Sequence, residues 1–233
     1  MASFFIDRPV TAACLLLLCI TYCLNFAIKD CTNVLGLVTV NTLIADRQVW
    51  NVFTCQFYEQ SILKLVIDIA GIIVITKSTK IIGGYDQFGL YFAVCLLSCS
   101  FFTSAYCFIR YFSTGVEEMI IDPIYGFGGV FMIMLTYARQ QLQNEAVVPQ
   151  MPHISYNNLP IIVLFVQIVL RLVGLKFLAI DIPFSVIAML VSWSYLRFFY
   201  RFEGNNSSML GDRSDTFAFV SMFPEVWRGV LMI

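Results

Sequence analysis

The sequence predicts an all-α membrane protein: six apolar helices crossing a bilayer as one bundle, followed by a polar tail. Three observations carry this. Hydrophobic residues make up 59% of the chain and charged residues only 12%, against roughly 25% charged in an average soluble domain. Mean hydropathy is +0.81, more apolar surface than a soluble fold of this length can hide from water. The apolar residues also fall into six runs, separated by polar or glycine-containing segments.

The first run, Val10 to Ile28, follows Arg8. It is long for a signal-peptide core of about 7–15 residues, and no small-x-small site closes it, so it reads as a retained span. Residues 29–60 are mixed, with Lys29, Asp30, Asp46 and Arg47, and suit amphipathic structure at the membrane surface. The second run, Ser61 to Thr76, is interrupted by Lys64 and Asp68, and Lys77 to Gln87 forms a polar turn. The third, Phe88 to Ile109, holds 22 uncharged residues, enough for the ~20 that cross a bilayer. A connector with Glu117, Glu118 and Asp122 leads to a short fourth run, Ile124 to Ala138. Arg139 to Asn158 reads as a polar loop and contains the single histidine, His153. The fifth and sixth runs are Leu159 to Ile180 and Ile182 to Tyr200, so residues 1–200 are the expected membrane domain and 201–233 the tail.

Six spans place both termini on one side. That side carries Arg8, Lys77, Lys80, Arg139, Arg197 and Arg201, and the other Lys29, Arg47, Arg110 and Lys176. The bias favours cytosolic termini. The tail sequons at Asn205 and Asn206 then stay unmodified. A formal net charge of -1 argues against a nucleic-acid partner. The eight cysteines show no CxxC pair and no Cys/His metal spacing, so neither a metal nor another cofactor is expected. Those inside the apolar runs read as core fillers, while a Cys31–Cys55 pair stays open.

Charges inside apolar runs are the candidates for chemistry, because each costs on the order of 3 kcal/mol to place in a bilayer. Lys64 and Asp68 are four apart on one helix. They form either a polar site facing the bundle or, the reading favoured here, an internally neutralised pair. Glu59, at the mouth of that helix, fits the headgroup layer and complements the helix start. Arg171, one turn after Gln167, either snorkels to the surface or reaches Asp68. Three glycines in Gly126-Phe127-Gly128-Gly129 open the fourth run, where they permit close approach of a neighbouring helix. No Lys follows them, so they are not a phosphate loop.

Trp50-Asn51-Val52-Phe53-Thr54-Cys55-Gln56-Phe57, then Lys64 and Asp68, then Gly126-Phe127-Gly128-Gly129, follow the order and rough spacing of the rhomboid protease motifs. The resemblance implies a six-helix rhomboid-like bundle without a catalytic dyad. Lys64 and Asp68 stand where rhomboids carry the oxyanion-site His and Asn. Gly128 stands where they carry the nucleophilic Ser, and the sixth run has no His. Trp50, Thr54, Glu59, Gly126, Gly129, Ser192-Trp193-Ser194-Tyr195-Leu196-Arg197-Phe198 and Gly211-Asp212-x-Ser214-Asp215-Thr216-Phe217-Ala218-Phe219, with Phe223-Pro224-Glu225, more closely resemble the transmembrane protein 115 family of the Golgi. Ile82-Gly83-Gly84-Tyr85-Asp86 departs from the Glu-Pro-x-Trp-Gly turn of that family. The resemblance implies Golgi residence, self-association into a homo-oligomer, and a part in Golgi-to-ER retrograde transport with membrane-protein cargo and a tethering complex.

The tail keeps two readings. Gly211, Asp212, Asp215, Phe217, Phe219 and Phe223 form either a cytosolic docking segment or a strip packed back on the membrane domain. An intramembrane protease with an unusual site, a transporter using Lys64, Asp68 and Arg171, and a Derlin-like handler of misfolded membrane proteins are the competing functions. The first lacks a histidine in any span for a serine mechanism, His153 lying in a polar loop, and a second clearly intramembrane Asp beside Asp68 for an aspartyl one. The second lacks an inverted repeat. The third shares the fold but fits the tail motifs less well.

Overall fold

The structure, a computed structural model, describes residues 8–43, 47–79, 81, 84–143, 145–147, 155–175, 181–204 and 207–223. Asp46, Lys80, Gly83, His153, Lys176, Asn205, Asn206, residues 176–180 of the fifth expected span and residues 224–233 lie outside them.

Helices dominate the described residues. They are α1 (Pro9–Ala27), α2 (Cys31–Leu35), α3 (Thr39–Leu43), α4 (Asn51–Thr54), α5 (Ile62–Ser78), α6 (Gly84–Thr114), α7 (Glu118–Ile121), α8 (Gly128–Leu142), α9 (Leu159–Leu172) and α10 (Ile182–Phe198). The six longer ones, α1, α5, α6, α8, α9 and α10, follow the six apolar runs in order. Two of them, α1 and α6, are long and apolar enough by themselves to cross a membrane. The other four have 14 to 17 residues, fewer than the ~20 of a full span.

The centre of the bundle is α8, with α5, α6, α9 and α10 packed around it. As far as Ala138 its sequence, Gly-Gly-Val-Phe-Met-Ile-Met-Leu-Thr-Tyr-Ala, carries no charge on any face, the pattern of a helix enclosed by others. From Val130 to Arg139 only Phe131 keeps partial exposure. The Phe131 ring lies against Gly71, where a Cβ would come within 2.5 Å of it. The surrounding helices turn large apolar side chains outward, among them Leu16 and Phe26 on α1, Val66 on α5, Phe101 and Phe112 on α6, and Phe165 and Leu172 on α9. Such a continuous apolar exterior suits lipid rather than water.

Several boundaries differ from expectation. The fourth helix starts at Gly128, not Ile124, because Ile124 is drawn into a β-bridge with Leu37. It runs on to Leu142, so Arg139 belongs to a helix and not to a loop. The third helix has 31 residues, about 46 Å at 1.5 Å per residue, because no proline or glycine follows Gly89 until Gly115. The fifth stops at Leu172, where Gly174, at φ 96, takes the left-handed conformation that ends helices. The tail adds a feature absent from an all-α expectation: strands β1 (Arg201–Gly204) and β2 (Ser207–Leu210) pair antiparallel, Arg201 opposite Leu210. All eight cysteines are free. Cys55 faces Ser100, with Sγ 3.7 Å from the hydroxyl, and burial pushes its thiol up to about 12. Cys31 packs beside Tyr58, so the two thiols do not form the pair left open above.

Candidate functional site

Two buried polar assemblies mark the two ends of α8. At its N-terminus the chain enters through Gly126, whose φ of 131 is a conformation that side chains other than glycine rarely adopt. The Gly126 N–H donates to the Cys55 carbonyl at 2.9 Å, which ties this entry to the segment after α4. The next two N–H groups have no partner inside the helix, as at any helix start. Here each donates to a buried carboxylate. Phe127 N–H meets Glu59 Oε1 at 2.7 Å, and Gly128 N–H meets Asp181 Oδ2 at 2.7 Å. Lys64 bridges the same two oxygens, with Nζ 3.0 Å from each.

Four elements therefore converge on one ammonium: the 55–60 segment, α5, the start of α8 and the start of α10. Glu59 is 1% exposed, Lys64 5% and Asp181 0%, so the ion pairs lie out of water, where each charge depends on its partners. The helix dipole adds to this, because its positive end faces both carboxylates. Burial raises the Glu59 carboxyl above its ordinary range, while the Lys64 ammonium pulls it back. Asp68 is also buried and belongs to the same cluster, facing Glu59, Lys64 and Asp181.

The space beside Gly128 is filled. A Cβ there would strike Asp181 Oδ2 and would come within 2.5 Å of Ser185 Oγ. A Cβ at Gly126 would come within 2.7 Å of Lys64 Nζ. At Gly129 it would meet Gln56 Oε1 at 2.6 Å. The Gln56 amide is itself anchored, donating to the Leu96 carbonyl and to Ser100 Oγ, each at 2.8 Å. The glycine run is thus the floor on which the carboxylates and Gln56 rest.

Three sequence expectations change. Lys64 forms its ion pairs with Glu59 and Asp181, and not with Asp68 one turn along its own helix. Glu59 lies inside the protein instead of at the headgroups, and it serves the start of α8 instead of α5. Asp181 does not stand out in the sequence, because it sits at the junction of two apolar runs and looks like a loop residue. The available signal was its place as the residue before α10, two positions ahead of Pro183, with apolar residues on both sides. Arg171 is exposed in the last turn of α9.

At the other end of α8, Arg139 is fully buried. Its Nε donates to Asn157 Oδ1 at 3.0 Å, and one terminal nitrogen donates to the Ala218 carbonyl at 3.1 Å and to Ser221 Oγ at 2.7 Å. The guanidinium carbon also lies 4.6 Å from the centre of the Phe217 ring. Trp193 Nε1 donates to the Phe217 carbonyl at 3.0 Å, and its ring meets Phe219 edge-on at 5.3 Å. Arg197 donates to the carbonyls of Asp212 and Ser214. Gly211 takes a φ of 72, and its N–H donates to the Tyr200 carbonyl at 2.8 Å. Asp212 accepts from Ser214, while Asp215 is exposed. Of the six tail candidates, Phe217 is fully buried, and Phe219 and Phe223 are half-buried and stack edge-on at 5.7 Å. The described tail lies on its own bundle. On the first amphipathic segment, Thr54 donates to the Leu35 carbonyl at 2.9 Å, and the half-exposed Trp50 donates to the Val34 carbonyl at 3.0 Å.

Comparison with known proteins bears on this arrangement. The family described as "Eukaryotic integral membrane protein (DUF1751)" matches residues 12–233. Rhomboid-like protein 19 of Arabidopsis thaliana is 28% identical over 78% of the chain and 58% of its own length. Transmembrane protein 115 of Mus musculus is 26% identical over 95% of the chain and 61% of its own length. The Homo sapiens protein of the same name is 26% identical over 90% of the chain and 58% of its own length. The chain thus spans about three fifths of the length of these curated relatives. No solved structure matches it.

Proposed function

The chain belongs to the eukaryotic integral membrane protein family (DUF1751), and from that premise we propose that it is a non-catalytic, rhomboid-like scaffold or cargo-handling protein of the Golgi membrane, acting in Golgi-to-ER retrograde vesicle transport. The observation that carries the non-catalytic reading is the filled space beside Gly128. A serine mechanism needs a hydroxyl with a base in hydrogen-bond reach and room for a substrate carbonyl. At the position corresponding to the rhomboid nucleophile there is no side chain, and the Asp181 carboxylate occupies the adjacent volume. Lys64 is committed to two ion pairs.

In this reading α1, α5, α6, α8, α9 and α10 all cross the bilayer, the shorter ones meeting polar headgroups or a locally thinned membrane. Both termini face the cytosol. The partners are the lipid bilayer, membrane-protein cargo, a Golgi tethering complex and further copies of the chain, and no cofactor takes part. Proximity labelling at native expression level tests it, with Golgi tethering factors expected among the strongest neighbours. Enrichment of degradation machinery instead would replace the reading with a Derlin-like role. Cleavage of a transmembrane substrate by the purified protein, lost on changing one of its own residues, would overturn the non-catalytic part.

A further inference from the structure

The cluster at the start of α8 holds more acid than its single base can neutralise. Glu59, Asp68 and Asp181 surround one ammonium, Lys64, and all four side chains are more than nine-tenths buried. With every carboxyl ionised the cluster would keep two uncompensated negative charges away from water, a costly arrangement. Glu59 and Asp181 each accept a backbone N–H and the Lys64 ammonium, which are interactions of carboxylates. Asp68 has neither. It is buried beside Glu59 in the same cluster, and a hydrogen bond between the two carboxyls requires one of them to carry a proton. Asp68 Oδ2, Asp181 Oδ1 and Ser185 Oγ have no hydrogen-bond partner. The fully buried Ser185 hydroxyl points into the same space beside Gly128 as the Asp181 carboxylate. Among the described residues no group of His, Cys, Asp or Glu side chains is arranged to hold a metal ion.

We propose that the Glu59–Lys64–Asp68–Asp181 cluster binds one exchangeable proton, held between Asp68 and Glu59, and that this proton keeps the latch around the start of α8 closed. When the proton leaves for water, Asp68 and Glu59 become two facing carboxylates with Lys64 shared among three acids. Repulsion then loosens the hold of the 55–60 segment and of α10 on α8. The charged groups facing Asp68 are Lys64 on its own helix, Glu59 from the 55–60 segment and Asp181 from α10. With the termini cytosolic, the cluster sits toward the opposite side and senses the pH of that compartment. This proposal does not depend on the transport reading.

The sign follows from proton linkage. The folded state holds a proton that the unfolded chain has lost above roughly pH 4, the ordinary carboxyl range, so stability falls as pH rises from there. One proton changes the folded-to-unfolded ratio by up to tenfold per pH unit. The test uses the purified full chain in lipid nanodiscs, unfolded at a series of pH values, beside Asp68→Asn. Wild type is expected to lose stability with rising pH, and Asp68→Asn, which carries a permanent hydrogen-bond donor there, to show a flatter profile. An unchanged slope in Asp68→Asn overturns the proposal. Infrared difference spectra of wild type supply a second readout that needs no variant. The carbonyl band of a protonated carboxyl, present at neutral pH and lost in alkali, supports it, and absence of that band at neutral pH overturns it.

Discussion

The two ends of α8 bury one cation each, and they satisfy it by different means. At the N-terminus, Lys64 meets formal charges, Glu59 and Asp181, which also receive the first free N–H groups of the helix. At the C-terminus, the partners of Arg139 include a carbonyl, an amide oxygen, a hydroxyl and an aromatic face. Both arrangements agree with the helix dipole, which favours acids at its start and a base in its last turn. They differ in what depends on them. The Lys64 latch joins elements of the bundle itself, so its loss is global. The Arg139 clamp joins the bundle to the 211–223 strip, so its loss is local.

That contrast can be broken most forcefully at Lys64. Lys64→Met leaves two buried carboxylates without their counter-ion, and removing one partner of a buried pair costs about 3–5 kcal/mol. The whole bundle is expected to lose stability, read as a large fall in the thermal midpoint in detergent. Gly128→Ser comes next. Its side chain collides with Asp181, and overpacking of this kind costs about 1–3 kcal/mol. The variant is expected to be less stable and to gain no proteolytic activity toward a transmembrane substrate despite the restored hydroxyl. Arg139→Met has the most local effect, because the partners it leaves unsatisfied, at about 1–3 kcal/mol, lie around the 211–223 strip. Hydrogen exchange is expected to quicken in residues 211–223 while α5 and α10 keep wild-type protection. Equal quickening throughout would erase the distinction between the two ends.

How far the sequence discloses this can be read from particular residues. Lys64 and Asp68 stand out because charges are rare in apolar runs, and three glycines in four positions announce a close approach. The pairing of Lys64 does not stand out, since its partners come from segments 5 residues before it and more than 100 after it. Asp181 falls where one apolar run gives way to the next, and composition cannot distinguish a helix-start carboxylate turned inward from a loop residue. Arg139 opens a stretch, Arg-Gln-Gln-Leu-Gln-Asn, whose polarity reads as loop although α8 continues through its first four residues. Its buried role depends on a strip of chain some 80 residues later. Hydropathy sees neither contact, because both are long-range.

In the proposed reading, the place corresponding to a rhomboid active site is a closed ionic latch. A double-mutant cycle with Lys64→Met and Asp181→Asn in the reconstituted full chain addresses it most directly. The latch predicts a coupling of about 2–3 kcal/mol between the two positions, at the upper end for groups in one network. Effects that add to within about 0.5 kcal/mol, as for independent sites, would contradict it.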